Sequence, residues 1–347
     1  MAEISVVPIM VVDLIKKALY VSGALGLYHR LRNRDTLTVI VFHRVLDPGD
    51  ARWATSDPDY TLSTTLFEAC LDFFGRHYHV ISAAQLLDAR RSGSRLPPRS
   101  LLITFDDGWS DNVDYALEPL VRARFPALLF VIANVIGTRA PFFQEQIYGA
   151  WRSGALTTAR IASAIGLDDA SVDTAATHRD EARLRGLIER IERMDDGVRE
   201  HVMLQLADAL SDRERHWLTK DELQALERNG VDIGMHGMTH VPMTRAHDLD
   251  AELAGARVAG GRLRQGGEPP VSMSFPHGRF DDAIAQQAVD AGYELVFTSV
   301  QGLNPTRPRP GWLLARCGFE ARSIADRNGR LRAERLALYA FRLPHTR

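Results

Sequence analysis

Short apolar runs alternate with stretches of helical periodicity along most of the chain. The runs, each four to seven residues long, lie at 37–43, 78–81, 101–105, 127–132, 231–235, 271–275 and 294–299. Continuously apolar or β-branched runs of this length are typical of strands that are buried on both faces. Between them, apolar residues recur at helical spacing at 64–75, 83–91, 113–124, 219–228, 248–264 and 281–291. This alternation predicts a parallel sheet with helical crossovers, either open or closed into a barrel.

One interval, between the fourth and fifth runs, is long and charged. Helical periodicity returns within it at 179–210. Because the alternation of strands and helices resumes afterwards, we interpret residues 140–215 as a helical insertion within a single domain. That domain is predicted to span 37–318 and to end with a last strand at 312–316.

Both ends of the chain are basic, although 42 basic and 44 acidic side chains give the whole chain a formal net charge of only −2. Residues 1–36 are predicted to form an N-terminal amphipathic helical segment, and 319–347 a basic C-terminal helical tail. The body between them is therefore acidic, which does not suit a nucleic-acid partner. The plainer interpretation of the basic ends is a solvated surface with salt bridges to the body. The alternative is peripheral contact with an anionic membrane.

The composition is that of an ordinary globular protein. With 347 residues, 45% of them hydrophobic and 25% charged, the chain is long enough to bury a large core. Cys70 and Cys317 show no metal or redox spacing, so both are predicted to be buried, reduced thiols. Glu3 stands where a secretory signal would be positive, and no apolar run is long enough to span a bilayer. We therefore expect a cytoplasmic protein, peripheral at the inner membrane face if the basic ends bind lipid.

Two adjacent carboxylates directly follow a predicted buried strand. Residues 104–108 read TFDDG, and buried carboxylates are costly unless they meet a cation or a proton. In an extended segment Asp106 and Asp107 point to opposite sides, so we expect them to have different tasks. The alternative is an ordinary Asp-Gly turn with solvated carboxylates.

Two histidines follow a later strand. His236 and His240 lie four residues apart in the run HGMTH, and neutral imidazole is the commonest metal ligand. Such a pair on its own is more often structural. Two histidines and a carboxylate from another strand end would nevertheless make an open site for Zn²⁺ or a similar divalent ion. A third motif, SFPHG at 274–278, is by itself only a turn signal.

Together and in this order, the three motifs resemble the signature of the polysaccharide deacetylase family (NodB homology, carbohydrate esterase family 4). TFDDG matches the first motif of that family without a substitution, HGMTH matches its second, and SFPHG resembles its third. FHRV at 42–45 also resembles a segment near the start of many members. The resemblance covers about 37–318 apart from the insertion, and it implies a distorted (β/α) barrel.

The resemblance also implies a role for each motif residue. Asp107, His236 and His240 would bind a divalent metal, with Zn²⁺ expected first and Co²⁺, Ni²⁺ or Fe²⁺ as alternatives. Asp106 would be the general base that takes the proton of the attacking water. The backbone N–H of His277 would help to hold the oxyanion. The products would be acetate and a free amine on an amino sugar.

The chain departs from the family pattern at two positions. Ser274 stands where many members have an arginine that orients the base, so no such arginine is assigned from the sequence. Arg316 stands where the general-acid histidine would be sought, so we expect His43 to be the acid, with His277 as the runner-up. Three side chains are expected to contact the substrate: Trp109, Phe275 and Arg316.

The sequence thus predicts a metal-dependent N-deacetylase of an N-acetylated polysaccharide, oligosaccharide or glycolipid, acting in the synthesis of surface or secreted polysaccharide. One alternative is a hydrolase of the same fold that acts on a small amide or another acyl group. A second is a catalytically silent carbohydrate-binding protein, which would need no base beside a metal. The sequence leaves the oligomeric state open.

Overall fold

The computed structural model describes residues 9–167, 181–210, 212–307 and 313–346. The predictions made for 1–8, for 168–180 within the insertion and for the first residue of the last strand lie outside these residues. The strands are β1 Thr36–Phe42, β2 Arg44–Leu46, β3 Thr61–Ser63, β4 His79–Val80, β5 Ser100–Phe105, β6 Ala127–Val131, β7 Val231–Met235, β8 Ser272–Ser274, β9 Leu295–Gln301, β10 Asn304–Pro305 and β11 Leu313–Gly318. The helices are α1 Ile9–Val21, α2 Ala24–Arg32, α3 Thr64–His77, α4 Ala83–Ser92, α5 Leu117–Ala123, α6 Phe143–Arg152, α7 Thr158–Ala164, α8 Glu181–Glu192, α9 Asp196–Leu206, α10 Lys220–Arg228, α11 Ala256–Leu263, α12 Asp282–Asp290, α13 Ala321–Ile324 and α14 Ala333–Phe341.

Seven parallel strands close into a barrel, which confirms the predicted (β/α) barrel. Their order is β1-β11-β9-β8-β7-β6-β5, and β1 closes the ring because it pairs with both β5 and β11. The short β4 pairs with the start of β5, and β10 adds an antiparallel pairing to the start of β1. All residues of β5 are buried, as expected for a strand with apolar packing on both faces.

Alternate side chains of the strands enter two separate apolar clusters. In β5, Ile103 and Phe105 pack with the surrounding crossover helices, whereas Leu102 joins the cluster that fills the barrel. Residues of α4 such as Leu86 complete this inner cluster. Because successive side chains of a strand point to opposite faces, the continuous apolar runs of the sequence supply both clusters at once.

The predicted insertion is helical and has a small core of its own. Helices α6 to α9 lie between β6 and α10, and their buried residues, among them Ile147, Leu184 and Ile191, form a third apolar cluster. The insertion therefore packs as a unit beside the barrel rather than as an extended loop.

Neither end of the described chain is a separate segment. The described part of the helical segment predicted at 1–36 is interrupted at Gly23, where a φ of 80° separates α1 from α2. Helix α14, within the predicted tail, is buried in the main core, where Phe341 stacks on His29 of α2 at a ring separation of 4.0 Å. Arg32 of α2 donates hydrogen bonds to two carbonyl oxygens at the end of α14 and beyond it. The two ends thus pack together on the barrel.

The two cysteines agree with the prediction. Cys70 and Cys317 are unpaired and fully buried, and burial raises the pKa of both thiols. They act as small apolar core residues rather than as nucleophiles or metal ligands.

Candidate active site

The predicted site residues meet at the carboxyl end of the barrel. Asp106 and Asp107 directly follow β5, His236 directly follows β7, and His43 directly follows β1. In a parallel barrel the carboxyl ends of all strands open onto one face, so residues far apart in sequence come together there. A cavity of about 1050 Å³ opens at this face and is lined by all four side chains.

Asp107, His236 and His240 form a cluster that fits a metal ion. Oδ1 of Asp107 lies 3.4 Å from Nε2 of His240 and 3.6 Å from Nε2 of His236. Ligand atoms bound tetrahedrally to one zinc ion lie roughly 3.4 Å apart, so these separations suit such an ion. Among the described residues, this is the only group of three or more His, Cys, Asp or Glu side chains that could hold a metal ion.

Hydrogen bonds behind the cluster orient two of its members. Nδ1 of His236 lies 2.9 Å from the carbonyl oxygen of Ser274 and therefore carries the proton, which leaves the lone pair of Nε2 facing Asp107. The indole N–H of Trp109 donates to Oδ2 of Asp107 at 2.9 Å. Both contacts resemble the outer shell of a metal site, which fixes the orientation of the ligands.

The backbone of the cluster is held in strained conformations. Asp107 has a φ of 78° and His240 a φ of 69°, in the left-handed region that residues other than glycine rarely adopt. The loop from His236 to His240 is held by the buried carboxylate of Glu252, which accepts backbone N–H bonds from Met238 and Thr239 at 2.7 and 3.1 Å. Glu252 was not predicted from the sequence, because it lies on a following helical turn with no motif around it.

Burial favours the neutral form of all three side chains of the cluster. It lowers the pKa of His236 to about 4, although Asp106 opposes the shift, and it lowers the pKa of His240 well below its usual value. Both imidazoles are therefore neutral at pH 7, as metal ligands must be. Burial, together with the nearby charge of Asp106, raises the pKa of Asp107 to about 8. In the part of the chain that the structure describes, no arginine or lysine pairs with Asp107, so it lacks a cationic partner.

Asp106 has such a partner in Arg316 of β11. The guanidinium donates to both carboxylate oxygens, at 2.7 and 2.8 Å, and both side chains are only 4% exposed. Burial alone would raise the pKa of Asp106, but the charge and hydrogen bonds of Arg316 outweigh it and lower the pKa to about 2. Asp106 is therefore ionised beside neutral Asp107. The two adjacent aspartates thus differ in protonation state, although Asp107, with a φ of 78°, is not in the extended conformation from which different tasks were predicted.

Arg316 is accordingly the orienting arginine that the sequence did not supply at Ser274. The register of β11 shifts between Leu314 and Arg316, and such an irregularity redirects a side chain. The third guanidinium nitrogen, Nε, donates to the carbonyl oxygen of Thr298. All three nitrogens are thus engaged within the protein, which gives Arg316 a positioning role at Asp106. Because Arg316 also lines the cavity, its expected contact with substrate stays a prediction.

The two aromatic residues expected to contact substrate are buried. Trp109 is 2% exposed and stacks on Trp217 at a ring separation of 4.3 Å, with its N–H committed to Asp107. Phe275 is 1% exposed and stacks on Phe280. Much of their apolar surface is used in packing, but both residues also line the cavity, so their contact with substrate stays a prediction.

The two candidate acids differ in their partners. Nδ1 of His277 lies 3.2 Å from a carboxylate oxygen of Glu192, and its Nε2 lies 3.2 Å from the carbonyl oxygen of His240. His43 lines the same cavity beside Tyr60, and neither of its ring nitrogens hydrogen-bonds to a residue in the described part of the chain. Burial lowers the pKa of His43 against the opposing charge of Asp106. His43 therefore has ring nitrogens free for a substrate.

The insertion supplies one wall of the cavity, which the motifs did not reveal. Arg185 of α8 donates to both carboxylate oxygens of Asp57 at 2.9 Å and packs its guanidinium over the ring of Tyr148. Glu145 of α6 also lines the cavity, and burial raises its pKa to about 7 despite the opposing charge of Arg44. Glu145, Tyr148 and Arg185 thus come from two helices that are separated in sequence from every motif.

The chain is thus a closed (β/α) barrel with two neutral imidazoles and two aspartates at its carboxyl mouth. The family model for polysaccharide deacetylases matches residues 93–296, which is more than half of the chain. The chain therefore belongs to the polysaccharide deacetylase family, whose members are hydrolases of carbon–nitrogen bonds other than peptide bonds. The resemblance seen in the motifs is thereby confirmed.

Solved structures with the same fold have low sequence identity. The deacetylase PplD of Streptococcus pyogenes, solved with acetate, is 13% identical over 88% of this chain and 99% of its own, with a TM-score of 0.55. IcaB of Ammonifex degensii is 16% identical over 88% of this chain and 97% of its own, with a TM-score of 0.54. BC0361, a polysaccharide deacetylase of Bacillus cereus, is 13% identical over 83% of this chain and 66% of its own, with a TM-score of 0.52. At these identities the likeness shows the fold alone. No curated protein matches the chain.

Proposed function

We propose that this protein removes N-acetyl groups from an N-acetylated polysaccharide, oligosaccharide or glycolipid in a metal-dependent reaction. The observation that carries the proposal is the pairing of a buried Asp107–His236–His240 cluster with an ionised Asp106 in one cavity. Asp107, His236 and His240 would hold the metal. Zn²⁺ fits this donor set best, and Co²⁺, Ni²⁺ or Fe²⁺ accept the same ligands.

Asp106 is the proposed general base. The chemistry that a divalent cation supplies in such a site is a lower pKa for water and polarisation of the acetyl carbonyl. The carboxylate of Asp106 accepts the proton of the water that attacks the acetyl carbon. Arg316 keeps this carboxylate ionised and fixes the direction of both its oxygens, so the base is oriented before the substrate arrives.

His43 is the proposed general acid. To act as the acid, the His43 imidazole first takes up a proton from solvent at its free lone pair and becomes an imidazolium. It then donates a proton to the leaving nitrogen and returns to the neutral form. Its free ring nitrogens in the cavity favour it over His277, whose two nitrogens face Glu192 and His240. The predicted oxyanion contact from the backbone N–H of His277 remains part of the proposal. Cleavage of the amide by water leaves acetate and a free amine, and acetate is the ligand bound to the deacetylase PplD.

An extended glycan is the substrate class that the cavity favours. Its volume of about 1050 Å³ exceeds what a single small amide would fill, and the insertion widens it with polar side chains such as Arg185 and Tyr148. Synthesis of a surface or secreted polysaccharide is the setting that we propose. A hydrolase of a small amide or another acyl group is the alternative, and a silent binding protein is disfavoured by the ionised base beside the metal cluster.

Acetate release from N-acetylglucosamine oligomers, measured with Zn²⁺ added, tests this function. We expect activity in the wild-type protein, and a decrease in kcat of about 10²- to 10⁴-fold in Asp106→Asn. Asp106→Asn should retain its metal, because Asp106 is not in the ligand cluster. If the wild-type protein held stoichiometric metal but was as inert as Asp106→Asn on N-acetylated glycans, the deacetylase proposal would be wrong.

A further inference from the structure

Helices α1 and α2 leave an unusual apolar surface uncovered. Among the described residues, fifteen large apolar side chains are exposed, and eight of them lie on these two short helices. We call this the apolar hairpin surface; its members are Val12, Leu14, Ile15, Leu19, Val21, Leu27, Tyr28 and Leu31. Leu31 and Val21 are each 74% exposed. Scattered exposed apolar residues are ordinary, but a concentration of this kind marks an interaction site.

The orientation of α1 is the reverse of that of an ordinary surface helix. Two of its polar side chains face the protein: Asp13 pairs with Arg335 of α14 at 3.0 Å, and the hydroxyl of Tyr20 lies 3.2 Å from Nε2 of His77 in α3. Leu14 and Ile15 on the other side of the helix face outward. A helix that uses its polar side to bind its own protein has its apolar side free for something else.

Basic side chains surround the apolar hairpin surface. Residues 9–34 contain five basic side chains and one acidic one, and that acidic residue, Asp13, is paired with Arg335. Lys17, Arg30 and Arg34 are exposed. A strip of apolar residues with cations along its edges matches the boundary between the acyl chains and the anionic headgroups of a bilayer.

We propose that the apolar hairpin surface docks the enzyme on an anionic lipid bilayer. The leucine and isoleucine side chains enter the acyl boundary, while Lys17 and Arg30 contact the headgroups. A second copy of the chain is the less suitable occupant, because a symmetric dimer through this surface would bring two basic edges together. The contact is peripheral: within the part of the chain that the structure describes, no helix is long and apolar enough to cross a membrane. The proposal does not depend on the proposed deacetylase activity.

Cosedimentation of the full chain with vesicles tests the proposal. The vesicles are phosphatidylcholine alone, or phosphatidylcholine with phosphatidylglycerol, at about 0.1 M and about 1 M salt, between which the screening length falls from about 10 Å to about 3 Å. We expect binding to the anionic vesicles at the lower salt and much weaker binding in the other conditions. Lys17→Glu with Arg30→Glu should weaken binding at least about thirtyfold, the loss expected from removing two well-placed cations.

Leu14→Ser with Leu31→Ser tests the apolar part and should weaken binding by about tenfold or more. The matched control is Val198→Ser with Leu204→Ser, which changes two exposed apolar residues of α9 in the insertion and should bind as the wild-type protein does. Failure of the wild-type protein to bind anionic vesicles at low salt would overturn the proposal. So would sedimentation showing a lipid-free dimer that Leu14→Ser with Leu31→Ser dissociates. Acetate release by the same variants reports on the deacetylase proposal separately.

Discussion

Removal of the Arg316 guanidinium should move the pH dependence of the reaction. In Arg316→Gln the carboxylate of Asp106 loses two charge-assisted hydrogen bonds, of 2.7 and 2.8 Å, in a site where both side chains are 4% exposed. An adjacent cation lowers the pKa of a carboxyl group by about 1–3 units, so its loss should raise the pKa of Asp106 by a similar amount. Asp106 acts as a base only when ionised, and activity is lost as the pH falls through its pKa. The acid limb of kcat/KM should therefore move to higher pH by about 1–3 units.

The assay is acetate release as a function of pH, with kcat and KM determined separately. A positioning role predicts a large decrease in kcat with little change in KM, whereas the substrate contact expected from the sequence predicts mainly a higher KM. Breaking a buried ion pair destabilises a protein by about 3–5 kcal/mol, so thermal unfolding is measured in parallel. Arg316→Lys retains the positive charge, so the acid limb of its kcat/KM profile should lie close to that of the wild-type protein. An acid limb that is identical in wild type and a folded Arg316→Gln would refute the reasoning.

Further predictions concern the metal cluster and its supports. Asp107→Ala or His236→Ala should lose stoichiometric metal by elemental analysis, whereas the exposed control His247→Ala should keep it; full retention in the first two would mean that the ligands are wrongly assigned. Because the pKa of Asp107 is raised to about 8 and the imidazoles are already neutral, metal binding at pH 7 should release about one proton. The affinity for the metal should then fall about tenfold for each pH unit below 8. Titration calorimetry in buffers of different ionisation enthalpy measures the number of protons released, and a value of zero at pH 7 would contradict this prediction. Glu252→Ala should weaken metal binding by about 10- to 100-fold, since it frees the loop that carries both histidines; unchanged affinity would exclude that support.

The sequence by itself determined the barrel strands and the residues at their ends. Runs that are apolar on both faces can be buried only between two layers, so the strands were located to within a few residues. The assignment of Asp107, His236 and His240 to one cluster came from the resemblance of three short motifs to the polysaccharide deacetylase signature. The structure brings them together because each motif follows a strand and parallel strands end at one face. The helical insertion was also visible, since its periodicity is a local property.

The tertiary structure alone decided which side chains act on those residues. Arg316 reaches Asp106 across 210 positions of sequence, and only the closed ring of strands with its irregular register brings them together. The sequence predicted a substrate contact for Trp109, and only the structure shows that its ring stacks on Trp217 and that its N–H is committed to Asp107. Periodicity likewise showed that α1 has two faces, but not which one the protein covers. That choice depends on Arg335 and His77, whose positions are fixed by long-range packing and leave no mark on the local sequence.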